Sequence, residues 1–341
     1  MVTIHDVARR AGVSIATVSY AMSNKNRLKA ETRERIKRIA EELGYVPNPS
    51  AQSLHSKRTD MVGVIVPAIS NAYTAVFIQQ LEEAARLSGY YLLLACSNGR
   101  AATEREIVKS FIGKHVDALI VTPGASRDIS HYHGMRDAAG KLGVPMLFTH
   151  RTFPDWDADY VVPDLEDGSL RMTAYLLEAG YRDLLFVGGH RSDYYMESRL
   201  AGFRRAQLDK HPDRKIRRPL LCGYGLEAGY QAAKRLLDNR SRLPGAFVAI
   251  NDETAYGIYK ALKEAGIRVP DDVGLTGYDD LDLPTVDAIP LTTMRIPVGE
   301  MARMCLQGIE RIRESPDARY RRSVKPELVV RSSTGRRAGP G

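Results

Sequence analysis

The sequence predicts an α/β protein in which an N-terminal all-α helix-turn-helix domain precedes a two-lobed core of parallel, doubly wound sheets. Two observations support this fold class. In the first 45 residues, apolar side chains recur at helical spacing in three short segments. From Met61 onward, short apolar runs alternate with longer helical stretches, which is the pattern of parallel strands covered on both faces. The 341 residues are enough for two or three such units.

The first two helices are predicted from their apolar faces and their capping residues. Thr3 stands at the N-cap of the first helix, and Asp6 is placed to interact favourably with the helix dipole. Gly12 permits a tight turn, and Ser14 can cap the second helix. The apolar face of the first helix consists of Ile4, Val7, Ala8 and Ala11. The inward face of the second helix consists of Val18, Ala21 and Met22.

A third helix and an excess of positive charge complete the helical domain. The predicted buried face of this helix consists of Ile36, Ile39, Ala40 and Leu43, and Gly44 ends it. Residues 1–60 contain 11 basic and 6 acidic side chains, in a chain with a formal net charge of +8. A basic helix-turn-helix is typical of a module that binds nucleic-acid phosphates. The alternative is a solvated basic face without a partner.

A connector at residues 48–60 links the helical domain to the core. Pro47 and Pro49 end the preceding helix and favour an extended chain. Ser50 can cap a helix over residues 51–55, which is too short to be stable alone. We expect this helix to become ordered on DNA beside a partner copy, as a switch element would. A plain flexible linker is the alternative.

The core is predicted from alternating strands and helices. The expected strands are Val62–Val66, Tyr91–Ala95, Ala118–Val121, Pro145–Phe148, Leu184–Val187, Ala246–Ile250 and Val273–Thr276. The expected helices include Ala75–Ser88, Ser169–Ala179, Ser198–Leu208, Ala228–Leu237 and Glu253–Ala265. These units are too many for one compact sheet, so we expect two similar lobes. Ligands in such folds bind beyond the carboxyl ends of the strands, here the segments after Val66, Phe148, Val187, Ile250 and Gly277.

Composition and motifs argue against several classes of protein. The three cysteines have no metal-binding or redox spacing and are expected to be reduced core thiols: Cys96, Cys222 and Cys305. No apolar run approaches the roughly 20 residues of a membrane span, and no secretion signal precedes the first helix, so we expect a soluble, cytoplasmic protein. His131 and His133 lack a third metal ligand nearby in sequence, which favours a surface role. Because no nucleophile–base arrangement or cofactor motif is found, we expect no enzymatic activity, cofactor or metal.

Several motifs together make the chain similar to a known family. They keep their order from about Val2 to Thr334. They are Thr3–Tyr20, Tyr45–Asn48, Ala51–Leu54, Arg199–Phe203, Asn251–Asp252, Arg268–Val273, Gly277–Asp280 and Pro290–Thr293. On these residues the chain resembles transcription regulators of the lactose repressor (LacI/GalR) family. The resemblance implies a periplasmic-binding-protein-like core and four segments, namely a helix-turn-helix domain (1–47), a hinge helix and linker (48–60), an effector-binding and dimerisation domain (61–334) and a basic tail (335–341).

The resemblance implies a homodimer that binds a pseudo-palindromic operator in double-stranded DNA. Ile15, Ala16 and Tyr20 occupy the base-reading positions, and the first two offer only apolar contacts, for instance to a thymine methyl group. Tyr20 departs from the basic or other polar side chain that the family more often has there. Leu54 matches the hinge leucine that enters the minor groove, the alternative being that it packs only against its dimer mate. The implied DNA contacts are Thr3, Ser14, Ile15, Ala16, Thr17, Ser19, Tyr20, Asn24, Asn48, Ala51 and Leu54.

The resemblance also implies a small-molecule effector. Arg199, Asn251 and Asp279 match positions that bond ligand hydroxyls in sugar-responsive members, and such groups can grip vicinal oxygens. A helix cap at Asn251 and a turn at Asp279 are the structural alternatives. Thr74 and His150 replace the aromatic and acidic residues common there, and a sugar or related polyol is favoured over a nucleobase or another metabolite. The implied effector-binding residues are Tyr73, Thr74, His150, Asp193, Tyr195, Arg199, Asn251 and Asp279.

The sequence thus predicts a ligand-responsive, DNA-binding transcriptional regulator, and we expect it to act as a repressor. A solute-binding receptor of the same two-lobed fold is the main alternative, but it requires a secretion signal and has no helix-turn-helix. An enzyme on the same α/β scaffold is a further alternative, and turnover of candidate sugars would distinguish it from reversible binding.

Overall fold

A computed structural model of the chain describes residues 2–22, 28–46, 58–124, 130–153, 156–213, 215–283 and 289–335. The chain divides into two compact units, Met1–Thr59 and Asp60–Gly341. The first unit is helical and the second is an α/β unit with parallel sheets, which is the predicted fold class.

The first unit packs three helices around a small apolar core. They are α1 (Ile4–Ala11), α2 (Ile15–Met22) and α3 (Ala30–Glu42). Gly12 has a φ of 66° and ends α1 in the left-handed conformation that glycine adopts readily. The hydroxyl of Ser14 accepts a hydrogen bond from the backbone N–H of Thr17 at 3.2 Å, so it caps α2 as predicted. The core consists of Val7, Ala8, Ala11, Val18, Ala21, Ile36 and Ala40.

The second unit alternates strands and helices along the chain. Its strands are β1 (Met61–Val66), β2 (Tyr91–Cys96), β3 (Ala118–Val121), β4 (Met146–Thr149), β5 (Tyr160–Pro163), β6 (Leu184–Val187), β7 (Ala246–Ala249), β8 (Gly274–Thr276), β9 (Thr293–Arg295), β10 (Arg321–Val324) and β11 (Glu327–Val329). Its helices are α4 (Ala72–Leu87), α5 (Ala101–Gly113), α6 (Ser130–Gly140), α7 (Leu165–Glu178), α8 (Tyr194–Lys210), α9 (Leu226–Asp238), α10 (Asp252–Glu264) and α11 (Val298–Glu314).

These elements form two lobes, each built on a parallel sheet. The first sheet has the order β10-β5-β4-β3-β1-β2, and the second has the order β6-β7-β8. Strands β9 and β11 form a separate antiparallel pair. Strand β10 joins the first sheet after the chain has passed through the second, and α11 packs into the core of the first lobe through Met301, Cys305 and Ile309. The chain therefore crosses between the lobes more than once.

The expectation of strands buried on both faces holds for four strands and is wrong for β2. Strands β3, β4, β6 and β7 are buried along their whole length. Strand β2 lies at the edge of the first sheet, where Tyr91 is 75% exposed and Leu94 is 38% exposed. An apolar run does not distinguish an edge strand from a central one, because both need the same β-forming residues.

Other boundaries differ from the predictions for local reasons. Strands β5, β9, β10 and β11 have three or four residues each, and the charged run in β10 has no apolar alternation to reveal it. Helix α8 begins at Tyr194, not Ser198, because Asp193 caps it by accepting the backbone N–H groups of Tyr195 and Met196. Of the three cysteines, only Cys305 is a core thiol, whereas the other two are half-buried.

Candidate functional site

The outward face of α2 is the first candidate site. Ile15 is 42% exposed and Tyr20 is 36% exposed, and Ala16 is also exposed. Val18 lies on the opposite face and is fully buried in the core of the unit. The helix therefore presents the three predicted base-reading side chains to solvent while Val18 anchors it. This arrangement suits a helix that lies in the major groove.

The remaining predicted DNA contacts fall into three groups. The hydroxyls of Ser14 and Thr17 lie 2.8 Å apart at the start of α2, and Ser19 is half-buried. The backbone N–H and the hydroxyl of Thr3 donate to the carboxylate of Asp6 at 3.0 and 2.7 Å, which lowers the pKa of that carboxyl. The predicted contacts outside the described residues are Asn24, Asn48, Ala51 and Leu54.

The second candidate site is a cavity of about 270 Å³ between the two lobes. Each of the five strand ends named from the sequence contributes to its wall, through Pro67, His150, Asp193, Asn251 and Asp279. The structure brings all eight residues implied as effector contacts to this one cavity: Tyr73, Thr74, His150, Asp193, Tyr195, Arg199, Asn251 and Asp279.

A buried ion pair forms one side of the cavity. The guanidinium of Arg199 donates to the Asp279 carboxylate at 3.0 Å and to the backbone carbonyl of Ile250 at 2.7 Å. It also lies 4.0 Å from the centre of the Tyr278 ring. Burial raises the pKa of the Asp279 carboxyl, and the adjacent guanidinium offsets part of that rise. Asp279 has a φ of 107°, and its backbone N–H donates to the Met294 carbonyl as part of a parallel β-bridge with Arg295.

A buried, uncharged histidine forms the opposite side. The Nε2 atom of His150 lies 2.9 Å from the hydroxyl of Tyr73, and its Nδ1 atom lies 2.9 Å from the hydroxyl of Thr149. The ring also makes an edge contact with Phe77, with 4.7 Å between the ring centroids. Burial, assisted by the charge of Arg199, lowers the pKa of His150 to about 3, so the ring is neutral at physiological pH.

Tyrosines from the second lobe close the cavity. Tyr195 donates its hydroxyl proton to the carbonyl of Pro123 at 2.8 Å, which links α8 to the segment after β3. Tyr224 donates to the carboxylate of Asp193, whose other oxygen caps α8. Burial raises the pKa of both tyrosines, so both are donors at neutral pH. Residues of both lobes therefore form the cavity wall, and the hydroxyl of Tyr195 joins the two lobes.

Three of the predicted effector contacts are also engaged at helix N-termini, and the first of them is Asp193, the cap of α8. The side-chain oxygen of Asn251 accepts the backbone N–H of Thr254 at 3.0 Å and caps α10. Asn71 accepts the backbone N–H of Thr74 in the same way and caps α4. The capping role considered for Asn251 is therefore present, and the same residue lines the cavity.

Comparison with known proteins identifies the family of this chain. Residues 3–48 match the bacterial regulatory proteins of the lacI family, and residues 173–334 match the periplasmic binding protein-like domain. The chain is 32% identical over 339 residues to the HTH-type transcriptional regulator DegA of Bacillus subtilis, which covers 97% of this chain and 98% of that protein. The chain belongs to the lacI family of bacterial regulatory proteins.

Two further comparisons cover nearly the whole chain. The ribose operon repressor of Haemophilus influenzae is 28% identical over 334 residues, with 98% of each chain covered. The crystal structure of the lac repressor dimer bound to operator and the anti-inducer ONPF has a TM-score of 0.87 at 23% identity, covering 98% of this chain and 99% of that one. This likeness establishes the fold, a helix-turn-helix followed by a periplasmic-binding-protein-like core. The lacI-family protein described here is a DNA-binding transcriptional regulator.

Sequence reasoning missed several residues that line the cavity of this lacI-family chain, and it assigned His131 wrongly to the surface. Tyr224, which stands between Gly223 and Gly225 in the sequence, lines the cavity. The surface role favoured for His131 is wrong, because its ring lies 2.7 Å from the fully buried carboxylate of Glu104. A sequence signal for this pair is absent, since the partners lie 27 positions apart. Further lining residues that were not predicted are Asn71, Phe77, Thr122 and Leu165.

The described residues of this lacI-family chain contain neither a metal-binding cluster nor a membrane-spanning helix. Within them, no group of three or more His, Cys, Asp or Glu side chains is arranged to hold a metal ion. In the same part of the chain, no helix is both long enough and apolar enough to cross a membrane.

Proposed function

We propose that this lacI-family regulator is a cytoplasmic repressor that binds a pseudo-palindromic operator as a homodimer. Its operator affinity is changed by a sugar or related small molecule held in the cavity. The observation that carries the proposal is the convergence of eight polar and aromatic side chains from both lobes on one cavity, in a chain that also presents α2 to solvent. The protein binds DNA with one unit and a metabolite with the other, and it performs no catalysis.

The operator is read by α2 and fixed by contacts to phosphates. Ile15, Ala16 and Tyr20 contact base edges, whereas the hydroxyls of Ser14 and Thr17 donate to phosphates beside the start of the helix. In the hinge, Leu54 enters the minor groove between two base pairs. Phosphate contacts set the position of the helix on the duplex, and the three base contacts set the sequence that it selects.

Exposed apolar side chains on the first lobe support the homodimer. Leu87 at the end of α4 is 77% exposed, and Tyr91 on the adjacent edge strand β2 is 75% exposed. An apolar edge strand without cover favours pairing with another chain. A second copy of the protein covers this edge in the proposed dimer, and the two copies match the two half-sites of the operator.

The cavity is sized for a small molecule. The cavity of about 270 Å³ lies just below the range of about 300–1,000 Å³ found for sites that hold drug-sized ligands. Similarity to the ribose operon repressor of Haemophilus influenzae, which is 28% identical to this chain, supports a sugar. Closure of the lobes on the effector changes the geometry of the dimer, and with it the operator affinity.

Selection of genomic DNA fragments with the purified protein tests this function. At one stated salt concentration, we expect a palindromic site, bound by a dimer, that loses affinity as salt rises. The variant Leu54→Ala weakens binding to the selected site much more than binding to unrelated DNA. Recovery of no enriched sequence, with or without an added metabolite pool, would contradict the proposal. Equal losses on both DNAs would remove Leu54 from the minor groove.

A further inference from the structure

Four side chains of the first lobe form a continuous hydrogen-bonded chain that begins and ends at the cavity. The Tyr73 hydroxyl lies 2.9 Å from Nε2 of His150, and Nδ1 of His150 lies 2.9 Å from the Thr149 hydroxyl. The Thr149 hydroxyl lies 2.7 Å from that of Thr122. Tyr73 and Thr122, the two ends, line the cavity, whereas Thr149 is completely buried behind its wall. We call this set the relay.

The proton count of the relay leaves one donor for the cavity. Tyr73, Thr149 and Thr122 each carry one hydroxyl proton, and a neutral imidazole carries one N–H and one acceptor nitrogen. Three hydrogen bonds use three of these four protons. Among the described residues, the buried Thr149 hydroxyl has no further partner, so the fourth proton lies at one end of the relay.

Two arrangements satisfy this count, and they differ in the tautomer of His150. With the proton on Nδ1, Tyr73 donates to the ring and turns a lone pair to the cavity, while Thr122 turns a proton to it. With the proton on Nε2, both directions reverse. In either case one end presents a donor and the other end presents an acceptor. A ligand that meets both ends must therefore accept at one and donate at the other.

The charges of the cavity set a second requirement. The charged side chains among its described lining residues are Asp193, Arg199 and Asp279, two carboxylates and one guanidinium. The guanidinium is already engaged by Asp279 and by the Ile250 carbonyl. The buried Nε of Arg199 has no partner among the described residues, but this one guanidinium faces two carboxylates. An anionic ligand would therefore add to an excess of negative charge, which is costly in a buried site.

We infer that the cavity takes an uncharged ligand with hydroxyl groups that donate at one end of the relay and accept at the other. A hydroxyl group can do both, whereas phosphate and carboxylate groups only accept. Thr149 is a positioning residue that acts through His150 and Thr122 without reaching the cavity. The inference rests on the proposed effector role of this cavity and specifies its ligand class.

Calorimetry on the full-length protein tests the ligand class. The uncharged probes are D-ribose, D-xylose, D-glucose, D-galactose and myo-inositol. The anionic probes are D-ribose 5-phosphate, D-glucose 6-phosphate, D-gluconate and D-galacturonate. We expect saturable binding by at least one uncharged probe, and binding at least about 30-fold weaker by each anionic probe. An anionic probe that binds more tightly than all five uncharged ones, or binding by no uncharged probe, overturns the inference.

The variants Thr149→Val and Thr149→Ser test the relay with the sugar that binds. Valine keeps the shape of threonine without its hydroxyl, and serine restores the hydroxyl. In the wild type, replacing the sugar hydroxyl at the relay by fluorine removes its donor and weakens binding by about 10–100-fold. In Thr149→Val the relay is broken, both ends can turn a proton to the ligand, and the fluorine penalty falls below about threefold. Thr149→Ser retains the wild-type penalty.

A purely structural role of Thr149 gives a different result. In that case Thr149→Val weakens the sugar and its deoxyfluoro analogues by the same factor, and the relay is overturned. Affinity for the selected operator, measured on the same preparations, reports whether the variants fold and whether the DNA-binding function holds. Failure of the ligand test with intact operator binding therefore refutes this inference alone.

Discussion

The two units of the protein assemble their sites in different ways. In the helical unit, Val18 and the exposed Ile15 and Tyr20 belong to one helix of eight residues. In the α/β unit, Arg199 meets Asp279 across 80 positions of sequence, and Tyr73 meets His150 across 77. The first site depends on local helix geometry, and the second depends on contacts between residues far apart in sequence.

This difference has an energetic consequence. The side chains proposed to read DNA are exposed and contribute little to the stability of the fold, so they can change without unfolding the unit. The groups that line the cavity are buried and hold one another, so a change there affects both binding and stability. Four experiments with substituted proteins test this contrast.

The largest effect is expected from the buried ion pair. Asp279→Asn leaves the Arg199 guanidinium buried without its carboxylate and should lower the free energy of unfolding by about 3–5 kcal/mol. Adding Arg199→Met in the same chain should recover at least half of this loss, because the unpaired charge is then gone. Urea denaturation of both variants measures the two effects. A double variant as unstable as Asp279→Asn would show that the ion pair does not account for the loss.

The contrast within α2 should be nearly as clear. Val18→Ala should lower the free energy of unfolding by about 1–3 kcal/mol, because a fully buried side chain is truncated. Ile15→Ala should change it by less than about 0.5 kcal/mol but weaken operator binding about tenfold. Thermal denaturation and operator titration of the two variants distinguish a residue that anchors α2 in the core from one that contacts the operator. Similar stability losses in both would place Ile15 in the core and not at the DNA.

The buried histidine predicts a pH dependence. The pKa of His150 is lowered to about 3 in the folded state, against an ordinary value of 6.5, so the folded state favours the neutral ring. The stability that the neutral ring contributes is complete above the ordinary pKa and is lost as the pH falls below it. Between pH 7.5 and 5.5, the wild type should lose about 1.4 kcal/mol more than His150→Gln. Parallel stability curves for the two proteins would show that His150 titrates normally.

The smallest effect is expected at the contact between the lobes. Tyr195→Phe removes the hydrogen bond to the Pro123 carbonyl and should cost about 0.5–1.5 kcal/mol of unfolding free energy. Because this bond links the lobes across the cavity, sugar affinity should fall by about two- to tenfold while operator specificity is unchanged. Calorimetry and operator selection on the variant check both points. An unchanged sugar affinity would mean that the bond does not help to close the cavity.

Local patterns predicted the helical unit well because its structure is local. The helical spacing placed Val18 in the core, and Gly12 and Ser14 marked the ends of the helices. In the α/β unit, the rule that ligands bind beyond strand ends, together with the family resemblance, singled out eight residues that line one cavity. The strand-end rule and the family resemblance each assign a role to one position at a time.

Interactions between residues that are far apart in the sequence could not be predicted from it. Thr149 and Thr122 belong to neighbouring strand ends, but no spacing shows that their hydroxyls meet. The burial of Glu104 against His131 depends on the packing of α5 and α6. Strand β10 joins its sheet from a charged segment without alternation. These features arise only once the lobes are packed.

The most direct test of the central claim is an operator titration with and without a sugar. The dissociation constant for the selected operator is measured at one salt concentration, first without sugar and then with a saturating amount of one that calorimetry shows to bind. The proposed coupling predicts a change of about 5–150-fold. An unchanged dissociation constant in the presence of bound sugar would contradict the claim that the cavity controls operator binding.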